Sequence, residues 1–126
     1  MLTLLASPVP AGFPSPADNV KDKIDLNAYL VRRPESTYLI RVQGDSMIDA
    51  GIFDGDLLVV DRSIEPSTGD IVIAVVNGEF TVKRLYQNGV TVELLPANPS
   101  CKKMTFAEGA ELKIWGVVTN SIKSFT

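Results

Sequence analysis

The stretch Asp70-Ile-Val-Ile-Ala-Val-Val-Asn-Gly-Glu-Phe-Thr-Val-Lys-Arg-Leu85 decides the fold. Residues 70–76 and 79–85 are rich in β-branched and apolar side chains. Asn77-Gly78 between them is the strongest short-range hairpin signal, because a two-residue hairpin turn needs positive φ at both central positions. Working outward, Asn88-Gly89 links this hairpin to Val90-Thr-Val-Glu-Leu-Leu95, which predicts a second one. Thr37 to Gln43 alternates as a strand. Asp56 to Asp61 reads as a short buried strand, Lys102 to Phe106 as an edge strand, and Leu112 to Ile122 as a long final strand. Turn signals recur about every eight to twelve residues, and no long amphipathic helix interrupts them. The fold class is therefore mostly β, as a closed barrel or a sandwich.

Residues 1–35 have another texture. Pro8, Pro10, Pro14 and Pro16 crowd one stretch and Pro34 ends it. Proline fixes φ and removes a donor, so this part reads as an extended N-terminal arm. A short helical turn within Asp22 to Leu30 is expected, capped by Asp18 or Asn19. The chain is thus divided into an arm, 1–35, and a β-domain, 36–126. A chain of 126 residues is long enough for one real core.

Composition removes several chemistries. There is no histidine, which excludes Ser-His-Asp and Cys-His catalysis and His-ligated metal. A single cysteine, Cys101, excludes an internal disulfide and fits a reducing, cytoplasmic setting. The net charge of −3 lacks the basic surplus of a nucleic-acid binder, so no direct nucleic-acid binding is expected. The apolar runs are strand-sized, so no membrane span is expected. The start, Met1-Leu-Thr-Leu-Leu-Ala, lacks the basic region and apolar length of a secretory signal.

Without histidine, a serine nucleophile needs a carboxylate or a lysine as its base. Gly44-Asp45-Ser46-Met47 follows a strand end, and a glycine-flanked loop there lets backbone N–H groups converge beside a hydroxyl. The same tripeptide also suits an ordinary turn. Lys83 falls mid-strand, sharing a face with Thr81 and Leu85. It reads either as a solvated strand lysine or as a buried, neutral base. Asp45, Asp49, Asp54 and Asp56 lack the spacing of a calcium loop, so no metal site and no cofactor is expected. Trp115 is expected in the core or at a dimer interface, and Cys101 in a loop.

Six runs, taken in order, resemble the LexA/UmuD family of self-cleaving Ser-Lys peptidases. They are Gly12-Phe-Pro-Ser-Pro-Ala17, Ile24-Asp-Leu-Asn27, Gly44-Asp-Ser-Met-Ile-Asp49, Asp54-Gly-Asp-Leu-Leu-Val59, Gly69-Asp-Ile-Val-Ile-Ala74 and Gly78-Glu-Phe-Thr-Val-Lys83. The resemblance runs from Gly12 to about Val118, and Ser46 and Lys83 stand 37 apart, as in the family's dyad.

The resemblance implies a LexA/UmuD-type peptidase β-domain behind an extended arm. Ser46 would be the nucleophile and Lys83 the general base. The backbone N–H groups of Asp45 and Ser46 would form the oxyanion hole, and self-cleavage would fall between Ala11 and Gly12. It also implies a homodimer, stimulation by the RecA–single-stranded DNA filament, and service of the trimmed dimer to a UmuC-like Y-family DNA polymerase in SOS mutagenesis. Gly12 to Glu35 is 24 residues, a tether of at most ~80 Å, so the bond can reach its own dyad or a partner's. Only 11 residues precede the bond, fewer than the resemblance to the UmuD-type members implies, and no helix-turn-helix is expected ahead of the domain, which departs from the repressor members. A non-catalytic polymerase- or filament-binding module with a residual dyad is the alternative reading, and an antagonist forming mixed dimers is a third.

Overall fold

The computed structural model describes residues 1–5, 9–13, 21–107 and 110–126. The chain divides into two compact units, Met1–Arg32 and Arg33–Thr126.

In the first unit, β1 (Leu2–Leu5) pairs antiparallel with β2 (Lys21–Ile24), Leu2 opposite Ile24. The sequence reading gave this region no sheet. Pairing supplies partners to backbone groups that a lone extended chain leaves to water. One short helix, α1 (Leu26–Leu30), falls inside the expected interval. Its cap is Asp25, whose Oδ1 accepts the Ala28 N–H at 3.3 Å. Asp18 and Asn19 lie outside the described residues. Ala11 and Gly12 lie in an exposed bend.

The second unit is one antiparallel sheet of seven strands. These are β3 (Thr37–Arg41), β4 (Leu57–Asp61), β5 (Ile71–Val76), β6 (Glu79–Asn88), β7 (Thr91–Leu95), β8 (Met104–Phe106) and β9 (Leu112–Ile122). Their order is β3-β4-β9-β5-β6-β7-β8, so the last strand inserts between β4 and β5. The predicted hairpin is present. Asn77 at φ 50° and Gly78 at φ 82° make the left-handed pair that a tight two-residue turn requires. β6 runs on to Asn88, three residues further than expected, and pairs with β7 across a turn at Gly89.

Side chains alternate between two buried clusters. Val42, Met47, Ile52, Leu58, Val60 and Ile73 form the first. Val72, Ala74, Leu85, Leu94 and Val117 form the second. On β5 the period of two is plain, since Ile73 joins the first while Val72 and Ala74 join the second. Gly116 lets β9 close onto β4, for a Cβ there would lie 2.6 Å from Val60 Cγ1.

Candidate active site

The loop that carries Ser46 leaves β3 at Arg41 and is tied down at once. The Val42 N–H donates to the Asp56 carbonyl at 2.8 Å, and the Gly55 N–H donates to the Val42 carbonyl at 2.9 Å. Gly44 turns the chain at φ 98°, a region that side chains disfavour, and its N–H donates to Asp54 Oδ1 at 2.8 Å. Just beyond Ser46, Met47 is only 1% exposed and anchors the loop in the first cluster. Ser46 is therefore held between a backbone turn and a core anchor, and it is half-buried.

Lys83 reaches the same point from β6, where it sits opposite Val72 of β5. Its Nζ lies 3.1 Å from Ser46 Oγ, 2.7 Å from Thr81 Oγ1 and 3.1 Å from the Val82 carbonyl oxygen. As an ammonium the nitrogen donates to all three; as a neutral amine it would donate two N–H groups to Thr81 Oγ1 and the Val82 carbonyl and turn its lone pair to the Ser46 O–H.

Burial shifts the balance toward the neutral form. Lys83 is 7% exposed. Burial pushes its ammonium below the ordinary lysine value of 10.5, and a thiolate at Cys101 would oppose the shift. Among the described residues no carboxylate forms an ion pair with Lys83. The ammonium thus lacks the countercharge that usually keeps a buried lysine protonated.

A cleft of about 460 Å³ opens over the pair. Arg41, Gln43, Gly44, Asp45 and Ser46 line one side, and Phe80, Thr81, Val82 and Lys83 line another, with Ile40, Val42, Leu58 and Ile73 at the base. Among the described residues the N–H groups of Asp45 and Ser46 donate to no protein acceptor, so both are free for a ligand oxygen. The arrangement brings a hydroxyl, a buried amine and unpaired backbone donors to one cleft, groups that acyl transfer can use.

The structure thus brings Ser46, Lys83 and the Asp45 and Ser46 amides to one place. Ala11 and Gly12 belong to the other unit and are exposed. The acidic residues have other work. Asp54 holds Gly44, while Asp56 accepts the Phe53 N–H at 2.8 Å and pairs with Lys123. Trp115 is half-buried, with Tyr38 at 5.2 Å and Phe80 at 5.5 Å between ring centroids, and the Arg62 guanidinium 4.4 Å above it. Sequence reasoning put Thr81 on the lysine's face without giving it a role. It missed Asn98 altogether. The Nδ2 of Asn98 donates to the Asp45 carbonyl at 2.9 Å. That contact joins residues 53 apart and leaves no local signal.

No helix among the described residues is long and apolar enough to cross a membrane.

Comparison with known proteins places the chain in a family. The family described as Peptidase S24-like matches residues 3–119. Protein SamA of Salmonella typhimurium is 53% identical over 111 residues, covering 87% of this chain and 76% of SamA. Protein MucA of Escherichia coli is 46% identical over 116 residues, covering 90% of this chain and 79% of MucA. LexA repressor 1 of Xanthomonas campestris is 42% identical over 127 residues, which is 95% of this chain and 62% of the repressor. The resemblance to LexA and UmuD proteins drawn from six short runs therefore extends over nearly the whole sequence, and the chain belongs to the Peptidase S24-like family.

Proposed function

We propose that this chain is a Ser-Lys peptidase that cuts its own Ala11–Gly12 bond. The observation that carries the reading is the 3.1 Å approach of Lys83 Nζ to Ser46 Oγ, with Lys83 buried and, among the described residues, in no ion pair. In the first step neutral Lys83 takes the Ser46 proton while Oγ attacks the Ala11 carbonyl carbon. The carbonyl oxygen becomes an oxyanion between the Asp45 and Ser46 N–H groups. As the intermediate collapses, the carbon–nitrogen bond breaks and the Lys83 ammonium returns its proton to the Gly12 nitrogen. Residues 1–11 are then an ester on Ser46. Water, deprotonated by Lys83, releases them as a carboxylate. Small residues flanking the bond let its carbonyl approach the recessed serine. Delivery on a tether supplies the effective concentration that a simple dyad needs.

The arm, 1–35, is substrate in this reading and the domain, 36–126, is enzyme. The kinship with SamA and MucA supports a place in SOS mutagenesis. There the trimmed protein acts as a homodimeric accessory to a UmuC-like Y-family DNA polymerase, and the RecA–single-stranded DNA filament promotes the cut. A net charge of −3 fits a protein that meets DNA through such partners.

The test is intact-mass analysis after incubation with and without the filament. Wild type yields residues 1–11 and 12–126, with one water added between them, and Ser46→Ala yields neither. Cleavage at another bond, or in Ser46→Ala, contradicts the assignment. Co-purification of the 12–126 form with the polymerase tests the partner.

A further inference from the structure

The carbonyls of Asp45 and Ser46 are held by residues 97 and 98, and the Ile48 N–H also approaches the Asp45 carbonyl, at 3.4 Å. The Asn98 Nδ2 donates to the Asp45 carbonyl at 2.9 Å, and the Ala97 N–H donates to the Ser46 carbonyl at 2.8 Å. Neither Ala97 nor Asn98 lines the cleft. Every peptide bond among the described residues is trans, and a trans peptide points its N–H opposite to its C=O. The Asp45 carbonyl and the Ser46 N–H belong to one peptide plane. Holding that carbonyl toward Asn98 therefore turns the Ser46 N–H away from it, and Ser46 itself lines the cleft. The amide of Asn98 cannot be reversed, because its Oδ1 accepts the Ser100 N–H at 2.9 Å. A flip would set oxygen against carbonyl oxygen and NH2 against N–H.

We infer that Asn98 is a positioning residue, fixing through the Asp45 carbonyl the backbone donor that stabilises the oxyanion. The inference rests on the catalytic reading above and adds to it the residue that preorganises the hole. Such preorganisation matters because a donor that must reorient during the reaction loses much of its effect. Asn98 touches neither Ser46 Oγ nor Lys83 Nζ, so its influence is separable from the base.

The experiment measures self-cleavage of the full chain against pH for wild type, Asn98→Ala and Asn98→Asp. In parallel, the rate at which a fluorophosphonate labels Ser46 is followed by mass, because that reagent's P=O must occupy the same hole. Asn98→Asp keeps the acceptor for the Ser100 N–H, loses the donor and sets a carboxylate against the Asp45 carbonyl, so with Asn98→Ala it separates the grip on Asp45 from the fold of the 98–101 turn. The expected result is a fall of about 100-fold in the high-pH cleavage rate and in labelling for both variants, the scale of losing one oxyanion donor. In Asn98→Ala the pH midpoint set by Lys83 stays where it is in wild type. Wild-type plateau rates in either variant overturn the inference while leaving the dyad intact, as does a lowered rate in Asn98→Ala that comes wholly from a moved midpoint. Absence of both cleavage and labelling in wild type overturns the catalytic reading and this inference with it.

Discussion

Thr81 Oγ1 lies 2.7 Å from Lys83 Nζ, closer to the nitrogen than Ser46 Oγ is at 3.1 Å. Two residues apart on one strand share a face, so the backbone of β6 itself sets this contact. Thr81 accepts from the amine in either protonation state, and more strongly from the ammonium. Replacing it by valine keeps the shape and removes the acceptor. Thr81→Val is expected to move the pH midpoint of self-cleavage downward by about one unit, the worth of one hydrogen bond to a charged group. The high-pH rate falls as well, because the nitrogen loses an anchor. A pH–rate profile by intact mass checks both, and an unmoved midpoint would remove Thr81 from the account.

Lys83 also predicts how stability depends on pH. Burial lowers its pKa in the folded state below the ordinary 10.5. Between the folded value and 10.5 the unfolded chain binds more protons than the folded one, so stability rises with pH through that window. Below it the buried ammonium is a standing penalty. Lys83→Met removes the penalty, and the variant is expected to be more stable than wild type at neutral pH. The gap narrows as pH climbs toward 10.5. Urea melts of the two proteins at neutral and alkaline pH measure it, and a gap that widens with pH contradicts the burial argument.

Asp61 is a buried carboxylate at the end of β4, 3% exposed. Burial alone would raise its pKa. Hydrogen bonds from the Ser63 N–H and hydroxyl, from Ser36 Oγ and from Arg33 outweigh that and hold it well below the ordinary carboxylate value of 3.8. Asp61→Ala strands these donors and is expected to cost about 3 kcal/mol. A depressed carboxylate stabilises above its unfolded pKa, and that contribution is lost as pH falls through the folded value. The difference between wild type and Asp61→Ala should therefore be full at neutral pH and shrink below about pH 4. Thermal melts in both ranges decide it.

Gly116 tests the packing of the central strand. Its missing Cβ is what lets β9 lie against β4, since the nearest atom to such a carbon would be Val60 Cγ1 at 2.6 Å. Val60 is fully buried and has no room to yield. Gly116→Ala is expected to destabilise by about 2 kcal/mol, as overpacking of a filled core does. Pairing it with Val60→Ala restores much of the loss, and a double-mutant cycle in urea measures the coupling.

Much of this was legible in the sequence for identifiable reasons. Asn77-Gly78 demands its turn locally, and the alternation on either side fixes the register of β5 with β6, which in turn puts Lys83 and Thr81 on one face. The extra length of β6 was less visible, because Tyr86 to Asn88 are polar enough to read as a loop and are held as strand by pairing with β7. The pairing of β1 with β2 joins residues about 20 apart, and neither strand carries a turn signal that announces the other. The Ser46–Lys83 contact itself depends on tertiary closure between loop and strand, and only the resemblance to a known family tied the two together beforehand. Asn98 had no such tie. Its role lies in which carbonyl it reaches, and nothing in Ala97-Asn98-Pro99 distinguishes it from a common loop.

The central claim is that neutral Lys83 activates Ser46 to cut the Ala11–Gly12 bond. The measurement that tests it most directly is the rate of self-cleavage as a function of pH, read by intact mass, for wild type, Ser46→Ala and Lys83→Ala. The account predicts pieces of 11 and 115 residues from the 126-residue chain in wild type alone. Their rate of appearance should rise with pH to a plateau, with a midpoint below the ordinary lysine value of 10.5. Cleavage by Lys83→Ala at the wild-type rate, or a wild-type rate that does not rise with pH, would contradict it.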